Sequence, residues 1–409
     1  MDITQIFHDK QNAYLHLERY VNDGSPSGFT EKKTTSVETS PFRGAERFPL
    51  LEFADDDITS ILLGTEQNLF NKGSNYAHPD SINSPILLNA GRRLTKTAFD
   101  VSPTAGGRTM LIRNWPSAGY IKLTYDVARL GRVDRQLSLK LCKSSLEVTN
   151  TIKRAVDAGK FPSSFALLLE PSAKVSLLPT SNGAYEWGVI YRESKPYPYH
   201  DANTQLIPGF ALFSIDKRNT RDDCLINQLI QLTNSDPTSY LLQLLTMIVD
   251  SYWNVVLNCA FHPETQAQNC LFEITDSYEI KRVVFIDMQS VDKDIPLARN
   301  LGLNDKWESY PEACLDKNVY YYKIRSSFIY DFKVGEYLLS PILCAVSKRF
   351  RIDTTAIQKQ IKDYVRENYV SKLPSTFFPP DGCWYDCDNT ERQPGQQRQY
   401  YAHENPKYR

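Results

Sequence analysis

Two polar clusters, far apart along the chain, hold the residue types that a nucleoside triphosphate site requires. The first is Ser102-Pro103-Thr104-Ala105-Gly106-Gly107-Arg108-Thr109, followed by Lys122. Paired glycines let backbone N–H groups approach an anion closely, and Arg108 presents a planar fork of donors that matches phosphate or carboxylate. Lys122 adds a compact positive charge on the next β-rich run. The second cluster is Glu264, Gln268-Asn269 and, after an apolar run ending Val284-Phe285-Ile286, Asp287. Its oxygen donors are of the kind that hold Mg²⁺, which takes one or two carboxylates and leaves other positions to phosphate and water. One cluster supplies cations and the other carboxylates, as a site for a metal-bound triphosphate between two subdomains would need.

The spacing of the second cluster carries a geometric expectation. Asn269 opens a hairpin and Asp287 closes it 18 residues later, so the two ends should meet and could share one Mg²⁺ with Glu264 as third donor. Taken singly, Gly106-Gly107-Arg108-Thr109 is also compatible with a plain hairpin bearing solvated charges, and Asp287 with a turn cap. The P-loop pattern G-x-x-x-x-G-K-[ST] is absent. Arg129, Arg132 and Arg135 follow Lys122, and one of them could bind an anionic substrate. His262, beside Pro263, reads as structural rather than catalytic, and His78-Pro79 carries no weight by itself. Cys383 and Cys387 are four apart but have no second Cys or His pair nearby, which argues against zinc.

The elements that must position these residues follow from patterning. At 409 residues the chain can bury a large core in two or three subdomains. With 41% hydrophobic and 23% charged residues it is an ordinary globular α+β composition. A net charge of −1 gives no global pull toward nucleic acid or membrane. The N-terminus shows no secretory pattern, and Tyr240 to Val256 is interrupted by Gln243, Asp250, Ser251 and Asn254, so a cytoplasmic protein with neither nucleic-acid nor membrane partners is expected.

Residues 1–21 predict an amphipathic helix and 22–44 a loop. Residues 45–100 read as mixed, with a helix near 56–70 and a loop through 73–85. A β-rich region from about 101 to 222 has strands at 109–112, 120–125, 165–170, 174–178, 186–191 and 209–215, broken by a helix near 145–158. A mainly helical region spans 223–388. It opens with Asp236-Pro237 as cap and first-turn proline, with apolar positions at helical spacing through Cys259, and continues with a hairpin at 270–286 and helices near 331–348 and 353–370. The polar, Gln-rich 389–409 predicts a disordered tail.

Taken together, these residues resemble the siderophore synthetases that work independently of non-ribosomal peptide synthetases (the NIS, IucA/IucC-like or aerobactin-synthetase superfamily). That family carries a Pro-Thr-x-Ser-x-Arg-Thr-like segment, a strand lysine, a following arginine, then Glu-Ala-His-x-Gln-Asn, an apolar hairpin and an aspartate. Pro103-Thr104 with Arg108-Thr109, Lys122, Arg135, Glu264 with Gln268-Asn269, and Asp287 look like these motifs in order. Gly188 to Glu193 and Ile207 to Leu212 resemble the intervening strands. Two positions depart from the pattern: Gln266 stands where the family has histidine, and Gly106 where it has serine. Only about 100 residues precede the first motif, so a shortened N-terminal, thumb-like region is expected.

The resemblance implies a cupped-hand fold of three subdomains, with a fingers-like β region and a palm-like helical region, and a homodimer. It implies ATP and Mg²⁺ as cofactors. Thr104, Gly106, Gly107, Arg108, Thr109, Lys122, Gln268 and Asn269 would bind ATP. Glu264, Asn269 and Asp287 would hold the metal, and Lys122, Arg135 and Gln266 would occupy the catalytic positions. The implied reaction is adenylation of a carboxylic acid such as citrate, then attack by an amine or hydroxyl. Two other readings stay open on the residues: a kinase-like phosphotransferase using Asn269 and Asp287, and a binding protein that has kept the fold without catalysis.

Overall fold

A computed structural model of the chain describes residues 2–22, 46–55, 60–65, 69–70, 73–113, 119–126, 135–181, 183–200, 203–304, 306–307, 314–315, 325–379, 382–386, 400–403 and 405–409. Arg129, Arg132, Cys387 and most of the loop expected at 22–44 lie outside the described residues.

Two sheets organise the site. The larger has eight strands in the order Ser60–Gly64, Ser172–Thr180, Gly183–Glu193, Gly119–Leu123, Thr109–Ile112, Leu94–Pro103, Phe48–Ala54 and Ser74–Ala77, every neighbouring pair antiparallel. The smaller has four: Thr204–Pro208, Cys270–Thr275, Ile280–Phe285 and Phe165–Leu167, the last pair parallel. Its central hairpin is the one expected from the apolar runs at 270–286. Phe165–Leu167 lies between strands of the large sheet in sequence but pairs with the small one, so the chain crosses between the sheets more than once.

Side chains alternate faces along a strand, so the register states which residues share a surface. Leu111 stands opposite Tyr120 and Tyr120 opposite Arg192 in the large sheet. Leu206 stands opposite Glu273, and Leu271 opposite Val284, in the small one. Leu111, Tyr120, Leu206, Leu271 and Val284 form one buried cluster with Tyr14 and Leu15 of the helix Lys10–Tyr20. The two sheets therefore face each other across an apolar layer at one end of the helix, and Lys122, two residues beyond Tyr120, shares that face.

The helical part packs around Pro237–Cys259. Asp236 caps this helix, its carboxylate accepting from Ser239 N at 2.8 Å, with proline in the first turn. Leu241, Leu244, Leu245, Ile248, Tyr252, Val255 and Val256 are buried, each removing roughly 1.5–3 kcal/mol of apolar exposure. By length and composition this helix passes for a membrane span, yet its apolar face is filled by the protein itself. Trp253 stacks with Tyr369 and meets Tyr252, Tyr330, Phe377 and Phe378. Leu225–Leu232, Ser340–Phe350 and Thr354–Asn368 complete the layer, with a π-helical stretch at Phe328–Leu339 leading into the second of these.

Four expectations are corrected. The helix expected near 56–70 is replaced, where described, by the edge strand Ser60–Gly64, which pairs along Ser172–Ser176. A short apolar run fits either element, and the waiting sheet edge decides it. The loop expected at 73–85 contains the strand Ser74–Ala77 and a helical turn Pro79–Asn83. The strand expected at 209–215 falls earlier, at Thr204–Pro208, and Gly209–Leu212 is a 3₁₀ turn.

The tail, expected to be disordered, is ordered over its described residues. Tyr400–His403 pairs with Cys383–Asp386, and Tyr408 is buried against Tyr330 and Ser340. The guanidinium of Arg409 reaches both oxygens of Asp331 at 2.9 and 3.0 Å. Aromatic anchors and one buried ion pair outweigh a polar average composition.

Candidate functional site

The glycine turn is tightly built. Gly107 N donates to Thr104 O at 2.9 Å, and Thr104 Oγ1 donates to Thr109 O at 2.7 Å. Gly107 has φ +71°, a left-handed conformation that glycine adopts without steric cost. Two buried groups brace the turn from behind. His78 Nε2 contacts the carbonyl of Gly107 at 3.2 Å while its Nδ1 accepts from Asp80 N, which makes Nε2 the donor. Glu18, on the first long helix, accepts from Ala105 N at 2.8 Å and from the Tyr14 hydroxyl at 2.7 Å. Burial raises the Glu18 pKa, against which these two donors work.

The two sequence clusters meet here. A Cβ placed on Gly106 would stand 3.5 Å from Gln268 Nε2. Ile286 N donates to Asn269 O at 3.1 Å, so the hairpin ends do close, and Asp287 emerges beside Asn269. Asp287 has φ +69°, a strained position for a residue with a side chain, though one that aspartate tolerates. Its Oδ1 is ion-paired with Lys122 Nζ and lies 3.5 Å from Arg192 Nη2, and its Oδ2 accepts from Ser290 Oγ at 3.1 Å.

Charge is concentrated around this pair. Burial pushes Lys122 down to about 8, with Asp287 working the other way and Arg108 adding to the fall. For Asp287, burial alone would raise the pKa, but Lys122 and Arg192 overrule it and hold the carboxyl well below the usual range. Arg108 donates through Nη1 to the backbone carbonyl of Arg135 at 2.9 Å, and burial lowers both guanidinium pKa values. Asp287 favours the charged forms of Lys122, Arg108, Arg135 and Arg192 alike. Four cations thus surround Asp287, and with Glu170 as the second carboxylate, held on Arg192, the group still carries an excess of positive charge that an incoming polyanion would neutralise.

Sequence reasoning treated Arg192 as part of a strand and gave it no role. Its guanidinium makes two bonds to the fully buried Glu170 Oε1, at 2.8 and 2.6 Å, and Ser145 Oγ donates to the other oxygen. The signal available was an arginine facing the lysine strand at Tyr120, but the partner Glu170 is set by tertiary packing.

In this structure the three residues expected to hold a metal are engaged by other partners. Glu264 turns to Arg325, 3.4 Å away, and Arg325 also pairs with Asp292. Asn269 spends its amide N–H on the Glu264 carbonyl at 3.0 Å, and Asp287 is engaged by cations. Among the described residues no three His, Cys, Asp or Glu side chains converge as a metal cage. No protein-only cage is present among these residues, so a Mg²⁺ here would have to arrive with the triphosphate, which completes the shell of an ion that takes only one or two carboxylates from the protein.

Gln266 is buried, and Lys333 Nζ, on the π-helical stretch, donates to its Oε1 at 3.2 Å. A lysine therefore stands beside Gln266, the position that departs from the resembled sequence pattern. His262 is fully buried between the Tyr252 hydroxyl and Asp294, at 3.2 and 2.9 Å, which is the structural role its isolation predicted.

No family model and no curated protein sequence matches this chain. Solved structures do. The petrobactin biosynthesis protein AsbB from Bacillus anthracis str. Sterne superposes with a TM-score of 0.69 at 13% identity, over 91% of this chain and 71% of its own. Aerobactin synthetase IucC from a hypervirulent pathotype of Klebsiella pneumoniae gives 0.66 at 14% identity, over 88% of this chain and 70% of its own. ATP-bound aerobactin synthetase IucA from the same source gives 0.64 at 13% identity, over 89% and 72%. With the sheet order, the closed hairpin and the helical layer in place, the chain has the fold of the IucA/IucC-like siderophore synthetases.

Proposed function

We propose that the protein is an ATP-dependent carboxylate–amine ligase that forms an acyl-adenylate. The observation that carries this reading is the convergence of Lys122, Arg108, Arg135 and Arg192 on Asp287, beside a glycine turn that reaches Gln268. The shared fold supports it, since one neighbour of that fold is described as ATP-bound.

In the proposed first step a carboxylate oxygen of the acid attacks the α-phosphorus of ATP. The bond from that phosphorus to the bridging oxygen breaks, and pyrophosphate departs with the electron pair. Negative charge accumulates on phosphate oxygens as this happens, and Lys122 and Arg108 are placed to take it up in a site where buried charge is worth more than in water. Asp287 holds those cations in position before ATP arrives. The turn at Thr104–Thr109, fixed by its own hydrogen bonds and braced by His78 and Glu18, offers its backbone without needing to reorganise.

In the second step an amine attacks the acyl carbon, AMP leaves, and the nitrogen loses a proton. A citrate-like acid is the first substrate to test. Incubation with ATP and a carboxylic acid should release pyrophosphate and, once an amine is supplied, AMP. Release of ADP would identify a phosphotransferase instead, and failure of ATP to raise the melting temperature would identify a protein that has kept the fold alone.

A further inference from the structure

Gln266 is only 5% exposed, yet half of its side-chain amide is unused. Its Oε1 accepts from Lys333 Nζ at 3.2 Å. A lysine ammonium only donates, so the oxygen must be the atom that faces it, and Nε2 is turned away. Among the described residues no acceptor meets that nitrogen, and it is not fully sealed from solvent. Buried polar groups are nearly always paired, so an enclosed N–H pair left open but reachable points to a ligand as its acceptor.

The lysine is itself held in place. It sits on Phe328–Leu339, whose π-helical winding bonds residue i to i+5 and brings residues four and five apart onto one face. Its ammonium lies 5.3 Å from the ring centroid of Phe328, five residues before it, and 5.5 Å from that of Tyr337, four residues after it. Both rings favour the charged form and limit where Nζ can swing. The same stretch grips the loop of Gln266 at a second point, where Tyr337 O accepts from Ala267 N at 3.3 Å, and Arg325, just before it, lies 3.4 Å from Glu264. Gly209 packs against this loop too: a Cβ there would stand 2.7 Å from Ala267 O and 2.8 Å from Cys270 O. The loop so clamped carries Gln268 to the glycine turn and Asn269 to the closed end of the hairpin, next to Asp287.

We propose that Lys333 is a positioning residue that fixes the Gln266 amide with its N–H groups free to donate to an oxygen of the bound triphosphate. Lys333 acts through Gln266 and need not touch the nucleotide. The assignment rests on the ATP reading of the site and adds to it a residue outside the Lys122–Asp287 group. Without the lysine, the amide loses its orienting partner and must be ordered by the ligand, at a cost in affinity.

The test is calorimetric titration of the full chain with ATP and Mg²⁺, with no acid present, in the unmodified chain, Lys333→Met, Gln266→Met, the double variant and Lys333→Arg. Gln266→Met removes the donor and should raise the dissociation constant about tenfold or more, as for a hydrogen bond to a charged group. Lys333→Met should raise it at least about threefold, and Lys333→Arg, which keeps a donor, by less than about twofold. The double variant should bind no more weakly than Gln266→Met alone, because the lysine then has nothing left to position. Lys333→Gln, too short to reach Gln266, takes the place of Lys333→Met in this cycle where that variant does not fold. A lysine that only supports the fold would weaken ATP by the same factor with or without Gln266. That additivity, or unchanged affinity on loss of Lys333, overturns the proposal. An unmodified chain that binds no ATP overturns the nucleotide reading as well, whereas ATP binding with an additive cycle overturns the role of Lys333 alone.

Discussion

Lys122 and Asp287 form an ion pair across 165 residues of sequence, joining the large sheet to the end of the small sheet's hairpin. Each half is held in place by its own sheet. Lys122 is buried on the strand Gly119–Leu123, and Asp287 takes a left-handed backbone just past Ile280–Phe285.

Asp287→Asn leaves Lys122 and Arg192 with less compensation, while asparagine keeps the shape and accepts the left-handed conformation. The free protein should lose roughly 3 kcal/mol of stability, as when one member of a buried pair is removed. Because a triphosphate would then supply the missing negative charge, the ATP-induced rise in melting temperature should be larger in the variant than in the unmodified chain. An equal or smaller rise would remove Asp287 from the role of holding cations for phosphate.

Lys122 sets a pH dependence. With its pKa lowered to about 8 in the folded protein against 10.5 ordinarily, it is charged below pH 8 and loses its proton above it. Affinity for ATP in the free protein should fall as pH rises through 8, by up to tenfold per unit. Stability should move the other way from this group. Between 8 and 10.5 the unfolded chain holds a proton that the native one has released, so its contribution to stability increases with pH there. Dissociation constants that stay flat from pH 7 to 9.5 would exclude Lys122 as a phosphate ligand.

The two glycines of the turn should respond differently. Gly106→Ser meets only ordinary contact, 3.5 Å from Gln268 Nε2, and should change stability by no more than about 0.5 kcal/mol. Gly107→Ser forces a side chain into φ +71° and should cost about 1 kcal/mol or more, with weaker ATP binding. Chemical denaturation of both variants checks this, and equal costs would contradict the turn geometry.

His262→Asn separates stability from chemistry. The ring spans Tyr252 and Asp294 inside the core and does not contact the turn or Asp287, so losing it should cost roughly 1–3 kcal/mol while turnover per folded molecule is retained. Loss of turnover at full folding would make it a functional residue.

Local pattern made part of this legible. The capped helix Pro237–Cys259 and the hairpin at 270–286 follow from a cap, a proline and apolar spacing, and the hairpin's length brings Asn269 and Asp287 together. What the residues alone left hidden depends on long-range partners. Glu170 engages Arg192, Arg325 pairs with Glu264, Lys333 arrives beside Gln266, and Arg409 anchors a tail whose composition reads as disordered. A buried charge chooses its partner by where the chain folds, and spacing along the sequence does not record that.

The most direct test is acid-dependent exchange between pyrophosphate and ATP, with citrate as the first acid, in the unmodified chain and in Lys122→Met. Exchange that requires the acid and falls at least about 100-fold in the variant, with the fold intact by circular dichroism, is the predicted result. Production of ADP without exchange, or full exchange in Lys122→Met, would contradict an acyl-adenylating site built around the Lys122–Asp287 pair.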